Sequence, residues 1–124
     1  MAAIPDEVIK KTQEFLDMVS SVGVRLERVI LFGSYAKGNA NKWSDIDIAL
    51  VSKDFQGIGF YDRQKMNPCV LKTDTRIEPH PYRTEEFTED DPFIKKILSE
   101  GIEIAPERMK TVTTVSADES RGRQ

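Results

Sequence analysis

Gly33-Ser34 and Asp45-Ile46-Asp47 are separated by ten residues, in the run Leu31-Phe32-Gly33-Ser34-Tyr35-Ala36-Lys37-Gly38-Asn39-Ala40-Asn41-Lys42-Trp43-Ser44-Asp45-Ile46-Asp47-Ile48-Ala49-Leu50. These residue types suit the holding of a metal-bound triphosphate. Residues i and i+2 of a strand project to one face, so Asp45 and Asp47 stand together with Cα atoms about 6.5–7 Å apart. Carboxylates this close raise one another's pKa unless a cation lies between them. Mg²⁺ is the natural candidate, because it takes oxygen ligands and shares them with substrate phosphates. Gly33 lets the backbone approach a ligand closely. The Ser34 hydroxyl can donate to a phosphate oxygen or cap the turn that follows. Free N–H groups at the start of that turn form an anion site, and Lys37 adds a cation. Ser44, at the head of the acidic triplet, joins Gly33, Ser34 and Lys37 as a candidate nucleotide-binding residue.

Alone, Gly-Ser is a turn and Asp-x-Asp a solvated strand end; together, each after a strand signal, they are specific. The combination resembles the signature of the DNA polymerase β-like nucleotidyltransferase superfamily. Gly33-Ser34-Tyr35-Ala36-Lys37-Gly38 with Ser44-Asp45-Ile46-Asp47-Ile48 is similar to its minimal nucleotidyltransferase branch, over about residues 5–105. The resemblance implies a polymerase β-like fold, a small mixed β-sheet flanked by helices. It implies Mg²⁺-dependent transfer of a nucleoside monophosphate from ATP or another NTP to a hydroxyl, through a two-ion site completed by a third carboxylate. It also implies a HEPN-domain partner in a toxin–antitoxin pair, with a tyrosine of that partner as acceptor. The alternatives are a non-catalytic nucleotide-binding antitoxin that occludes its partner, and a small-molecule transferase of the aminoglycoside type.

Thr75-Arg76-Ile77-Glu78-Pro79-His80 offers the third carboxylate. Alternation puts Thr75 and Ile77 on one face and Arg76, Glu78 and His80 on the other. Glu78 is therefore the candidate, with Asp74 and Asp62 as competitors; the family more often carries aspartate here. Pro79 marks an edge strand or a strand end. His80 is expected to be a surface residue at that end. Arg76 suits a phosphate or a neighbouring acid equally. The Trp43 ring is expected to pack over the domain edge, Tyr35 to pack beside the phosphate turn, and Lys42 to be solvated.

The length of 124 residues predicts one domain. A net charge of −3 without a basic patch argues against tight binding to a long nucleic-acid backbone. No apolar run is long enough to span a membrane, and the N-terminus lacks a secretory pattern, so a cytoplasmic protein is expected. Cys69 is the only cysteine, which excludes an intrachain disulfide; a half-buried, inert thiol is the default.

Pro5-Asp6-Glu7 starts a helix whose apolar residues Val8, Ile9, Phe15, Leu16, Val19 and Val22 face inward, and Gly23 stops it. Strands follow at Leu26–Phe32, Ile46–Val51 and Thr75–His80, with a short helix at Ser34–Lys37. Phe60–Leu71 has helical character that Asn67-Pro68 interrupts. Asp90 or Asp91 caps a helix carrying Phe93, Ile94, Ile97 and Leu98, which Gly101 ends. Ile102–Ile104 is a short strand. The class is α/β or α+β, with a domain over 5–105 and a polar tail, expected to be disordered, over 106–124.

Overall fold

The computed structural model describes residues 4–104. Its elements are α1 (Asp6–Ser21), β1 (Arg28–Phe32), α2 (Ser34–Lys37), β2 (Ile46–Val51), α3 (Gly59–Thr73), β3 (Ile77–Tyr82), a 3₁₀ turn (Thr84–Glu86), α4 (Pro92–Glu100) and β4 (Ile102–Ile104). The strands form one mixed sheet in the order β3-β2-β1-β4. β1 is antiparallel to β2 and β4, and β2 is parallel to β3. Parallel neighbours need a crossover of at least a dozen residues, and α3 supplies it. The tail beyond 104 lies outside the described residues. Among the described residues no helix is long and apolar enough to cross a membrane.

Alternation sorts the layers. Val29, Leu31, Ile46, Ile48 and Leu50 pack with Phe15, Leu16 and Val19 of α1 and Met66 and Cys69 of α3. The opposite sides of the same strands, Ile30, Phe32, Ala49 and Val51, pack with Phe87 and with Ile94 and Ile97 of α4. Asp47 belongs to this second face, in line with Ala49 and Val51. A carboxylate thus ends an apolar row. Cys69 is buried with the first core, and that burial pushes its thiol pKa up.

Several expectations need correction. Ile9 and Val22 are 42% and 46% exposed, so the buried stripe of α1 is narrower than its apolar spacing suggested. β1 begins at Arg28, not Leu26. β3 begins at Ile77, not Thr75, because the Asp74 carboxylate accepts the Arg76 N–H at 2.9 Å and holds the entry in a turn. Asp91 is the cap of α4, accepting the Phe93 N–H at 2.8 Å, but Phe93 itself is exposed.

The largest correction is α3, which runs unbroken through Pro68. An internal proline costs about 3 kcal/mol. Burial of Met66, Cys69 and Val70 contributes about 1.5–3 kcal/mol for a side chain of that size, so packing wins. Pro68→Ala is expected to raise stability by about 1–3 kcal/mol, read as a higher urea midpoint.

Pro79 and Pro81 sit in β3 without breaking it. Ile46 N–H donates to Arg76 O at 2.8 Å and Ser52 N–H to Tyr82 O at 3.0 Å, at the two ends of the β2–β3 ladder. The even-numbered residues of β3 therefore face β2. The prolines occupy the outward positions of an edge strand, where no ladder donor is lost.

Two acids tie down the loops. Asp54 accepts the Arg25 backbone N–H at 2.8 Å and its Nε at 3.1 Å, and the Arg25 side chain holds its carboxyl down to about 2. Asp74 is likewise lowered, chiefly by its hydrogen bond from Arg76. A depressed folded-state pKa gives stability that is present above the unfolded value of about 4 and lost as pH falls toward the folded one. The urea midpoint is expected to fall between about pH 4 and pH 2, and an Asp54→Asn/Asp74→Asn double variant should show a flatter acid limb.

Candidate active site

β1 ends one residue before Gly33, which adopts φ 76° and ψ −150°. That region is essentially reserved for glycine. A second constraint is steric: a Cβ at Gly33 would overlap Asp47 Oδ2. The cause is the β1–β2 register, which pairs Phe32 with Asp47. Gly33 is thus the residue that lets the turn lie against the carboxylate. Its carbonyl accepts the Lys37 N–H at 3.1 Å, closing α2. No side-chain bond caps α2, so the Ser34 hydroxyl does not serve that role.

The loop after α2 is fixed from within. The buried Tyr35 packs as expected, and its hydroxyl donates to Asn41 O at 3.1 Å. Asn41 N–H donates to Ser44 Oγ at 2.9 Å, and Trp43 N–H to Asn41 Oδ1 at 2.8 Å. Ser44 therefore holds the loop that delivers Asp45 to the start of β2. Trp43 does not pack over the domain edge. It is 79% exposed, with Lys42 Nζ 4.9 Å from its ring centroid.

On the other side of β2 the parallel register sets Asp47 opposite Glu78. Neighbouring strands lie about 4.8 Å apart, so the two residues stand side by side on one face, with Asp45 just before the start of β2. The competitors are committed elsewhere. Asp62 is buried and accepts the N–H groups of Gln56 and Gly57 at 2.8 and 3.0 Å. Asp74 binds Arg76 Nε and Nη2 at 3.0 and 2.8 Å. Arg76 in turn leaves the carboxylate face, with Nη1 donating to the Tyr35 hydroxyl at 3.2 Å and Nη2 lying 3.4 Å from Glu7. Its partner is an acid, and Asp74 raises its pKa most.

His80 is no solvated strand end. Its Nε2 lies 3.2 Å from Asp47 Oδ1, and its ring meets Phe32 edge-on at 4.9 Å between centroids. Alternation already placed it on the face of Glu78; the flanking prolines misled, because they serve the outward edge rather than ending the strand. Lys37 lies 3.6 Å from Glu100 of α4, a contact no local pattern announces.

Among the described residues no three His, Cys, Asp or Glu side chains are gathered closely enough to grip a metal ion; the Asp47 carboxylate is turned to His80. Asp45, Asp47 and Glu78 nevertheless fit a hard divalent cation in kind. All three offer anionic oxygens, and the register aligns two of them, Asp47 and Glu78, beside the Gly33 turn.

The sequence profile of the nucleotidyltransferase domain matches residues 9–105. A Methanocaldococcus jannaschii protein named "Putative protein adenylyltransferase" is 32% identical over 103 residues, which span 79% of this chain and 99% of that relative. The chain belongs to the nucleotidyltransferase domain family and is a transferase of that class. Two solved structures share its fold. One is described as "a putative nucleotidyltransferase from Sulfolobus solfataricus", with a TM-score of 0.54 at 23% identity over 79% of this chain and 82% of that one. The other is described as a toxin-antitoxin with AMP-PNP, with a TM-score of 0.55 at 18% identity over 85% and 86% of the two chains.

Proposed function

We propose that this protein is a Mg²⁺-dependent adenylyltransferase that moves AMP from ATP to a tyrosine hydroxyl of a HEPN-domain partner, and so acts as an antitoxin. The observation that carries it is the alignment of Asp47 with Glu78 beside the Gly33 turn. Asp45, Asp47 and Glu78 would hold the metal, in a two-ion arrangement. When bound, Mg²⁺ supplies charge neutralisation on the phosphates and lowers the pKa of the acceptor hydroxyl.

The chain's own residues order the reaction across the sheet. Gly33 and Ser34 take the phosphate side, at the end of β1. Glu78, on the edge strand β3, takes the acceptor side. It borders an open groove of about 370 Å³ whose wall includes Phe60, Arg63 and Asn67 of α3. The acceptor hydroxyl gives up its proton to solvent as its oxygen forms a bond to the α-phosphorus, the α–β bridging P–O bond breaks, and pyrophosphate leaves. Catalysis of this kind is mostly positioning and electrostatics. The adenylyltransferase name of the archaeal relative and the toxin-antitoxin neighbour support AMP and a protein acceptor.

Co-expression with a HEPN-domain protein encoded in the same genome, followed by intact-mass and peptide mass spectrometry, tests the reading. One adenylyl increment on a partner tyrosine is expected, absent with an Asp45→Asn/Asp47→Asn double variant. A partner that binds but is never modified would contradict it and favour occlusion.

A further inference from the structure

Beside Gly33 a hollow of about 150 Å³ opens between α2 and α4, lined by Phe32, Gly33, Lys37, Phe93, Lys96 and Glu100. Two lysines from different helices thus line one hollow beside the turn that takes the phosphate side of the site. One of them is engaged: Lys37 Nζ lies 3.6 Å from Glu100 Oε1, with side-chain exposures of 43% and 41%. Glu100 is the last residue of α4, whose final turn carries no basic residue. A carboxylate there faces the negative end of the helix dipole, so its own helix disfavours it and Lys37 holds it. A half-exposed ion pair of this kind is weak. A polyphosphate carries several negative charges to set against that single carboxylate.

We propose that this hollow receives the terminal phosphates of the nucleotide: Lys96 and Lys37 together select a triphosphate over a monophosphate, and Glu100 is an internal anion that holds Lys37 until a polyphosphate displaces it. The inference rests on the nucleotidyl-transfer reading and adds α4 to the site. It also gives pyrophosphate a way out, because Glu100 returns to Lys37 as the product leaves.

The test is calorimetric titration of the full chain, with Mg²⁺, using three probes: inorganic tripolyphosphate, a non-hydrolysable ATP analogue and AMP. Lys96→Met is expected to weaken the first two by about five- to tenfold, the loss of one charge partner near the surface, and to leave AMP within about twofold. Glu100→Gln is expected to tighten the first two severalfold, and the gain should vanish in a Lys37→Met background, the signature of coupled residues. Both side chains are exposed, and circular dichroism checks that the variants fold. Unchanged tripolyphosphate binding in Lys96→Met, or an equal loss for AMP, overturns the assignment. No gain in Glu100→Gln, or a gain that persists without Lys37, overturns the competition. Wild-type protein that binds neither polyphosphate probe overturns the underlying reading itself, an outcome distinct from the other four.

Discussion

Gly33→Ala is expected to abolish nucleotidyl transfer while leaving a folded, weakened protein. Two costs coincide at this position. The backbone region at φ 76° and ψ −150° costs a non-glycine residue of order 1–3 kcal/mol. The new methyl group would also overlap the Asp47 carboxylate, so the turn and the carboxylate must move apart. Displacement of a reacting group by about 1 Å costs on the order of a hundredfold in rate, and activity should fall at least that far. Gly23→Ala separates the two effects. Gly23 also has a positive φ, 96°, but a Cβ there would meet nothing within 4 Å. It should lose about 1 kcal/mol of stability and keep its activity. Urea denaturation and a transfer assay on both variants check this; a Gly33→Ala protein with wild-type turnover would remove the close approach from the account.

Asp47→Asn is expected to do the reverse: little change in stability and a collapse of activity. Asn keeps the shape but lacks the anionic oxygen that a hard cation needs. Even loss of an outer-shell partner costs about 10–100-fold at a metal site, so replacing the proposed ligand Asp47 should cost at least about a hundredfold in kcat. Stability responds to opposing terms. The His80 contact weakens, while one negative charge is removed from a face that also carries Glu78. The net change should stay within about 1 kcal/mol. Parallel kcat and urea-midpoint measurements test this; equal losses in both would assign Asp47 a structural role.

The part of the site that was legible in the sequence is the part written by local periodicity. Alternation alone put Asp45 and Asp47 on one face, and it put Glu78 and His80 together on another strand. That the two strands are parallel neighbours, with Asp47 opposite Glu78, depends on the crossover through α3. That crossover was obscured because Pro68 reads as a helix breaker, and only the burial of Met66, Cys69 and Val70 overrides it. His80 was misread for a related reason. A proline on either side suggests a strand's end, whereas the ladder bonds show that both prolines point their missing donors outward. The place of Lys96 and Glu100 was not legible at all. It follows from how α4 docks on β1, where a Cβ at Gly101 would collide with Ile30, a contact between residues some seventy positions apart in sequence. The site candidate Lys37 has a partner, Glu100, that only the fold supplies.

The most direct measurement is paired labelling: ATP labelled at the α- or the γ-phosphate, incubated with the protein, Mg²⁺ and the HEPN-domain protein proposed as its partner. The account predicts that protein-bound label comes from the α-phosphate alone, that pyrophosphate is released in step with it, and that both disappear with the Asp45→Asn/Asp47→Asn variant. Label from the γ-phosphate, or none while the two proteins remain in complex, would contradict nucleotidyl transfer at this site.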